Sequence, residues 1–138
     1  MKKLFLDTNI VIDLLAKREP FYEEAANLFT MADKQQIQLF VSALTFANTN
    51  YILLQEMKAG EAKLILRKLK LIVHVLNLNE KMVELSLNDD DFKDFEDALQ
   101  YYTALENEAD AIITRNLKDF QKAKLPAMTA AHFLKSIQ

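Results

Sequence analysis

Six carboxylates lie close together in the stretch NDDDFKDFED, about two thirds of the way along the chain. They are Asp89, Asp90, Asp91, Asp94, Glu96 and Asp97. Two further acids, Asp7 and Asp119, come after the short apolar segments KLFL and AIIT. Carboxylate oxygens are hard ligands, so converging acids would bind Mg²⁺ or Mn²⁺. A metal site is therefore one interpretation, beside a solvated surface run or a set of helix caps.

Helix capping explains each group of acids locally. Asp7 can be the N-cap of a helix that begins near residues 9–10, and Asp94 can cap a helix in which Asp97 completes a capping box. Asn116 can begin a short helix that contains Asp119. If the acids instead converge, carboxylates about 4 Å apart repel by about 4 kcal/mol at an effective dielectric constant near 20. Three acids brought together in this way would need a cation.

The acids lie in a chain whose short apolar segments alternate with longer amphipathic ones. The apolar segments predict strands at 3–6, 37–42, 73–76, 111–114 and 127–129. The amphipathic segments predict helices at 21–34, 43–57, 60–71, 80–88 and 94–107, a short helical piece near 117–121, and a final helix. This alternation predicts a parallel sheet covered on both faces, with sites beyond the carboxyl ends of its strands. Asp7, Ser42 and residues 114–116 are all predicted at that edge.

The direction of the Asp97 side chain depends on which face of the helix predicted over 94–107 is buried. Its apolar residues recur at helical spacing and are predicted to form one buried face. They are Phe95, Ala98, Leu99, Tyr102 and Leu105. Asp94 and Asp97, three residues apart, lie at the border of that face in the first turn. Asp97 is therefore predicted either to cap its own helix or to point over the sheet edge towards Asp7.

Composition and charge limit the function classes. The length of 138 residues and the 51% hydrophobic content fit a single domain over residues 1–138. A net charge of −3 excludes a uniformly basic nucleic-acid binder, so any nucleic-acid contact requires a local basic patch or bound cations. Arg115 and Lys118, near the proposed site, are candidates for that contact.

The sequence also predicts the compartment. It has no cysteine, which excludes disulfides and zinc-thiolate sites and fits a reducing cytoplasm. No segment has the roughly 18 uninterrupted apolar residues that span a bilayer. Asp7, Asn9 and Asp13 interrupt the apolar N-terminus, unlike in a signal peptide. We expect a soluble cytoplasmic protein without membrane contact, in which Asp13 is an ordinary acid on a helix surface.

Four segments, taken in order, carry a resemblance to a known family. They are LDTNIVIDLL, VSALTFANTNYIL, DFEDALQYYTA, and ADAIITRNLKDF followed by PAMTAAHFL. Over nearly its whole length the chain resembles PIN domains, in particular the VapC-type toxins. The resemblance implies an α/β fold, a three-layer α/β/α sandwich around a central parallel sheet of about five strands.

The resemblance also implies hydrolysis of RNA phosphodiester bonds with Mg²⁺ or Mn²⁺, by a toxin that usually forms a homodimer and is inhibited by an antitoxin protein. By position in the matching motifs, the acids that bind the metal and carry catalysis correspond to Asp7, Asp97 and Asp119. Asn9 corresponds to the Asn of a DTN turn, with a stabilising role. Additional site residues implied by the match, or adjacent to it, are Asn48, Asp94, Thr114 and Asn116.

One position departs from the family pattern. The second acid, commonly Glu in the segment that corresponds to SALTFAN, is here Asn48. An Asn offers a neutral oxygen to a metal, but it removes a negative charge and cannot act as a base. One alternative is therefore a degenerate PIN module that binds RNA or protein without cleavage. Because related folds cut flap DNA, a structure-specific DNA nuclease is a second alternative.

Overall fold

The centre of the protein is a five-stranded sheet, and the computed structural model describes all of residues 1–138. The strands are β1 (Lys2–Leu6), β2 (Ile37–Ser42), β3 (Val73–Leu76), β4 (Ala111–Ile113) and β5 (Ala127–Met128). All neighbouring strands are parallel, in the order β3-β2-β1-β4-β5, which makes β1 the central strand. The predicted parallel sheet of about five strands is confirmed.

Seven α-helices and one short 3-10 helix connect the strands. They are α1 (Thr8–Leu15), α2 (Tyr22–Asp33), α3 (Ala43–Leu53), α4 (Ala59–Lys70), α5 (Glu80–Leu87), α6 (Phe95–Glu106), α7 (Ala130–Ser136) and the 3-10 helix Leu117–Phe120. The predicted helices agree with these to within a few residues, and the largest difference is the early end of α3 at Leu53. None of the helices combines the length and the apolar character needed to cross a membrane.

A hydrophobic cluster lies on each face of the sheet, because successive residues of a strand point to opposite faces. In β1, Leu4 and Leu6 belong to a cluster of 16 buried residues, whereas Phe5 belongs to a second cluster of 8. Helices α1, α2 and α7 pack into the larger cluster and α6 packs into the smaller one. The three-layer α/β/α sandwich is therefore confirmed.

The buried face of α6 differs from the predicted one. Phe95 begins the helix and is 44% exposed, so its predicted burial is wrong. Tyr101 is buried instead, at 3% exposure, and stacks on Phe92 with ring centroids 4.9 Å apart. Tyr102 is only half-buried, and its hydroxyl donates a hydrogen bond to Asp89. The helix is thus rotated from the predicted face, and Asp89 is the hydrogen-bond partner of Tyr102.

The carboxyl ends of the strands meet at one edge of the sheet. Leu6 of β1 is paired with Ile113 of β4, so Asp7 and Thr114 follow at the same level. The backbone N–H of Asp7 donates to the carbonyl of Ile113 at 2.9 Å and continues the ladder. Ser42 ends β2 on the other side of β1. The predicted gathering of these residues at one edge is confirmed.

Candidate active site

Asp7 is held rigidly at the end of the central strand. It is 6% exposed and is the N-cap of α1. One carboxylate oxygen accepts a hydrogen bond from the backbone N–H of Thr8 at 2.8 Å, and the other accepts one from the Thr114 hydroxyl at 2.8 Å. The Thr114 hydroxyl oxygen also accepts a hydrogen bond from the N–H of Asn116 at 2.9 Å. The capping role expected for Asp7 and its place at the sheet edge are therefore compatible.

The electrostatic surroundings of Asp7 oppose its charge. Burial raises the pKa of this carboxyl, and the nearby carboxylate of Asp119 raises it further. The hydrogen bonds from Thr114 and Thr8 lower the pKa, but the net pKa stays above its usual value. A buried acid in this state would be stabilised by a cation, because a nearby positive charge favours the ionised form.

Asp94 and Asp97 have different roles. The Asp94 carboxylate is the N-cap of α6 and accepts hydrogen bonds from the N–H groups of Glu96 at 2.8 Å and Asp97 at 3.3 Å. The Asp97 side chain does not reach back to close a capping box, because no hydrogen bond contributes to its ionisation. The pKa of Asp97 is raised to about 7. Burial is the largest cause, and repulsion from Asp94, Asp7 and Asp119 adds to it. Asp97 therefore belongs electrostatically with Asp7 and Asp119.

Glu96, the exposed second residue of α6, is a further acid beside this cluster. Its Oε1 accepts a hydrogen bond from Nδ2 of Asn48 at 2.6 Å. Burial raises the pKa of Glu96, Asp94 raises it further, the Asn48 hydrogen bond lowers it, and Asp7 adds a smaller repulsion. Asn48 thus lies beside the acids through its contact with Glu96. The carboxylate pattern of the DFED segment alone does not distinguish Glu96 from its exposed neighbours.

Asp119 lies at the opening of the site. It is exposed in the 3-10 helix, where its N–H donates to the carbonyl of Asn116 at 3.0 Å. Together with Asp94 and Asp97 it lines a surface depression of about 430 Å³ that has no hydrophobic lining residue. The basic residues that line the same depression are Lys93, Lys118 and Lys122. The depression therefore combines acids that suit a cation with lysines that suit a phosphate.

The chemistry of these side chains fits a hard divalent cation. None of Asp7, Asp97 and Asp119 forms a salt bridge. The structure contains no group of three or more His, Cys, Asp or Glu side chains already arranged as a complete metal-binding set. Mg²⁺ usually keeps several water ligands and binds proteins through only one or two carboxylates. The oxygen-only acids are thus suitable ligands without a closed cage.

A buried polar network connects the elements that carry the acids. Its members are Thr8, Ser42, Thr45 and Gln100, all buried. The Gln100 amide nitrogen donates to the hydroxyls of Thr8 at 3.1 Å and Thr45 at 3.2 Å, and its Oε1 accepts from the Ser42 hydroxyl at 2.7 Å. Gln100 therefore links α6 to α1, β2 and α3. Sequence reasoning missed it, because a single Gln among apolar residues gives no sign of its partners.

Arg115 forms an ion pair with Asp13 that the sequence did not predict. Asp13 is 1% exposed, so its prediction as a surface acid is wrong. Arg115 donates to Asp13 from Nε at 2.8 Å and from Nη2 at 3.1 Å, and its guanidinium lies 4.0 Å from the centroid of the Phe21 ring. A buried carboxylate needs such a partner. Arg115 is therefore the ion-pair partner of Asp13 and its contact with RNA stays a prediction, whereas Lys118 is exposed beside Asp119.

Two asparagines predicted near the site make no side-chain hydrogen bond. Asn9 lies in the first turn of α1 and not in a loop, and Asp7 and Thr114 hold the turn instead. The stabilising role of Asn9 stays a prediction. Asn116 is the N-cap of the 3-10 helix without a side-chain cap. Its contribution at the strand end comes from its backbone, through Thr114 and Asp119.

The sequence model of the PIN domain family matches residues 3–118. The chain belongs to the PIN domain family. The resemblance seen in the four segments is thus confirmed, and the match includes Asp7 and Asp97 but ends just before Asp119. Ribonuclease VapC1 of Aquifex aeolicus (strain VF5) is 27% identical over 139 residues, which cover 96% of this PIN domain chain and 93% of that protein.

Solved structures support the PIN domain fold. A toxin-antitoxin complex from Klebsiella pneumoniae contains a chain with a TM-score of 0.69 and 25% identity, over 92% of this chain and 97% of that one. FitAcB from Neisseria gonorrhoeae has a TM-score of 0.70 at 14% identity, over 94% of this chain and 99% of that one. The second likeness concerns the fold alone.

Proposed function

We propose that residues 1–138 form one PIN domain that acts as a metal-dependent endoribonuclease and as the toxin of a toxin-antitoxin pair. The observation that carries the proposal is the gathering of Asp7, Asp97 and Asp119 beyond the carboxyl edge of the sheet, where none of them forms a salt bridge. Its support from relatives is the similarity to a protein named ribonuclease VapC1 and to a toxin-antitoxin complex. We also propose that it acts in the cytoplasm, where an RNA substrate is present.

Asp7, Asp97 and Asp119 are the proposed ligands of Mg²⁺ or Mn²⁺. A bound ion would lower the pKa of a water molecule at the site and neutralise charge on the attacked phosphate. Asp7 is oriented by Thr8 and Thr114, which use only two of the roughly four acceptor positions of a carboxylate. Asp97 makes no competing hydrogen bond and keeps all of its acceptors. Asp94 holds Asp97 in place by capping α6.

The RNA backbone is proposed to enter through the depression beside Asp119. Lys118 and Lys93 line this depression and form no salt bridge, whereas Lys122 lies 3.4 Å from Asp91. Because the whole chain has a net charge of −3, attraction of a polyanion depends on such local lysines. We assign phosphate binding to Lys118, the lysine closest in sequence to Asp119.

An RNA-cleavage assay in millimolar Mn²⁺, compared with EDTA, tests the proposal. Asp7→Asn and Asp97→Asn should each lower the cleavage rate by at least about a hundredfold, because charge stabilisation by a metal ion is worth several kcal/mol. Asp33→Asn is the matched control, since Asp33 is an exposed acid at the end of α2. Cleavage that persists in EDTA, or in both site variants, would show that these acids do not carry the reaction.

A binding module without cleavage is the second candidate, favoured by the neutral Asn48 and by the absence of a preformed metal set. Titration with Mn²⁺ separates the two, because a module of this kind would bind no ion at millimolar concentration. A structure-specific DNA nuclease is the third candidate. Parallel assays with single-stranded RNA and with flap DNA decide it, and the ribonuclease proposal expects cleavage of the RNA.

The proposed partners are an antitoxin protein and a second copy of the chain. Exposed apolar side chains on α3 and α4, at Tyr51, Leu54 and Leu64, are candidates for such contacts. Light scattering after size-exclusion chromatography should give the mass of a homodimer. Growth arrest when this protein is expressed, relieved by co-expression of the protein that the adjacent gene encodes, would support the toxin role.

A further inference from the structure

Two hydrogen bonds join α3 to α6. One is buried, where the Gln100 amide donates to the Thr45 hydroxyl at 3.2 Å, and the other is the exposed contact between Asn48 and Glu96. One turn later in α3 and one turn earlier in α6, Nδ2 of Asn48 donates to Oε1 of Glu96 at 2.6 Å. Residues three or four apart lie on the same side of a helix. The packing that buries Gln100 therefore also sets Asn48 opposite Glu96.

The position of Glu96 places its charge among the acids of the site. Glu96 is adjacent to Asp97 in the first turn of α6 and lies one turn before Gln100, whose amide donates to the hydroxyl of Thr8, the residue after Asp7. Asn48 occupies Oε1 and leaves Oε2 without a partner in the protein. Asn48 brings an amide and no charge. The α3–α6 contact thus contributes a single carboxylate to the edge of the site, and that carboxylate comes from α6.

We propose that Glu96 is a fourth carboxylate ligand of the metal site and that Asn48 is its positioning residue. This inference rests on the proposed function, since it adds a ligand to the same site. The Asn48 amide fixes the rotamer of Glu96 by donating to Oε1, and Oε2 is directed to the cation. A ribonuclease with Asn at position 48 would thereby keep four acids around the ion, because Glu96 of α6 replaces the acid that α3 lacks.

Calorimetric titration of the full chain with Mn²⁺ alone measures the contribution of Glu96 without relying on cleavage. Glu96→Gln keeps the shape and the acceptor for Asn48 but removes the charge, and it should weaken Mn²⁺ binding by about tenfold or more. Asn48→Ala should weaken it by about three- to tenfold, in the manner of partners that orient a ligand. Glu23→Gln is the matched control, because Glu23 is also the exposed second residue of a helix.

A double variant tests whether the two side chains act as one unit. In Asn48→Glu combined with Glu96→Gln, the amide on α6 can donate to the carboxylate on α3, so the hydrogen bond is kept and the charge changes sides. Mn²⁺ affinity should return to within about threefold of the wild type. Thermal unfolding in EDTA verifies that every variant is folded.

The outcomes separate this inference from the proposed function. If the wild type binds Mn²⁺ and cleaves RNA while Glu96→Gln binds equally well, Glu96 is no ligand and this inference alone is overturned. If Glu96→Gln loses affinity and the double variant does not regain it, the pairing with Asn48 is overturned. A wild type that binds no Mn²⁺ would overturn the proposed function itself.

Discussion

Replacement of Asp97 by Asn is expected to make the metal-free protein more stable near pH 8, although it removes an acid of the proposed site. Burial is the main cause that raises the pKa of Asp97 to about 7, and repulsion from Asp94, Asp7 and Asp119 adds to it. The ionised side chain is therefore unfavourable in the folded protein. The isosteric amide has no charge to bury or to repel.

The pH dependence of this effect follows from proton binding. Between the ordinary pKa of 3.8 and the folded pKa of about 7, the folded protein holds a proton on Asp97 that the unfolded chain has released. The free energy of unfolding therefore falls as the pH rises through this range, and the penalty is complete above it. The advantage of Asp97→Asn should be largest near pH 8 and should fall by more than half near pH 4, close to the ordinary pKa.

The size of the effect is limited by solvent. A rise from 3.8 to about 7 would correspond to about 4 kcal/mol for a fully shielded group. Because Asp97 is only half-buried, screening by water reduces this to about 1–2 kcal/mol. The variant also loses an acid near the N-terminus of α6, where the helix dipole is worth about 0.5 kcal/mol. A net gain of about 1 kcal/mol remains, which raises Tm by about 3–5 °C.

Thermal unfolding followed by circular dichroism, in EDTA at the two pH values, measures this gain. Asp33→Asn controls for the loss of an exposed carboxylate. Millimolar Mn²⁺ should reverse the order of stability, because a ligand stabilises the protein that binds it more tightly. An Asp97→Asn variant that is less stable than the wild type near pH 8 in EDTA, or equally favoured at both pH values, would refute the reasoning.

Three further variants test the supporting contacts. Gln100→Leu removes the amide that hydrogen-bonds the buried hydroxyls, so the free energy of unfolding in a urea titration should fall by about 2–3 kcal/mol. Calorimetry should show weaker Mn²⁺ binding, and an unchanged Mn²⁺ affinity would mean that Gln100 contributes only to stability. Arg115→Met leaves the Asp13 carboxylate buried without its partner and should cost about 3–5 kcal/mol in the same titration; a loss below 1 kcal/mol would argue against the pair. Lys118→Ala should weaken RNA binding and lower its salt slope by about 1, with Tm unchanged because the side chain is exposed. An unchanged slope would exclude a phosphate contact.

The fold and part of the site could be predicted from short stretches of sequence. Apolar segments alternating with amphipathic ones identify the strands and helices, and parallel strands bring their carboxyl ends to one edge. Asp7 and Thr114 directly follow β1 and β4, so their meeting at that edge follows from topology alone. The PIN domain resemblance adds Asp97 and Asp119, since it aligns whole segments.

The direction of a side chain at a helix start could not be predicted in the same way. Asp97 at the start of α6 suits a capping box as well as a metal site, because both need an acid in the first turn. The structure separates the two: Asp94 alone caps the helix, and Asp97 is grouped with Asp7 and Asp119. The rotation of α6 that buries Tyr101 instead of Phe95 depends on packing against Phe92 and the sheet, which helical periodicity does not specify.

The sequence by itself determined the elements, their order and the family, because backbone preferences and motifs act over a few residues. Only the tertiary structure decided which side chains meet. Glu96 meets Asn48 across 48 residues and Arg115 meets Asp13 across 102, so neither contact is visible in a short stretch of sequence. Such pairs depend on how the helices dock on the sheet, and on the cost of burying a charge or an amide without a partner.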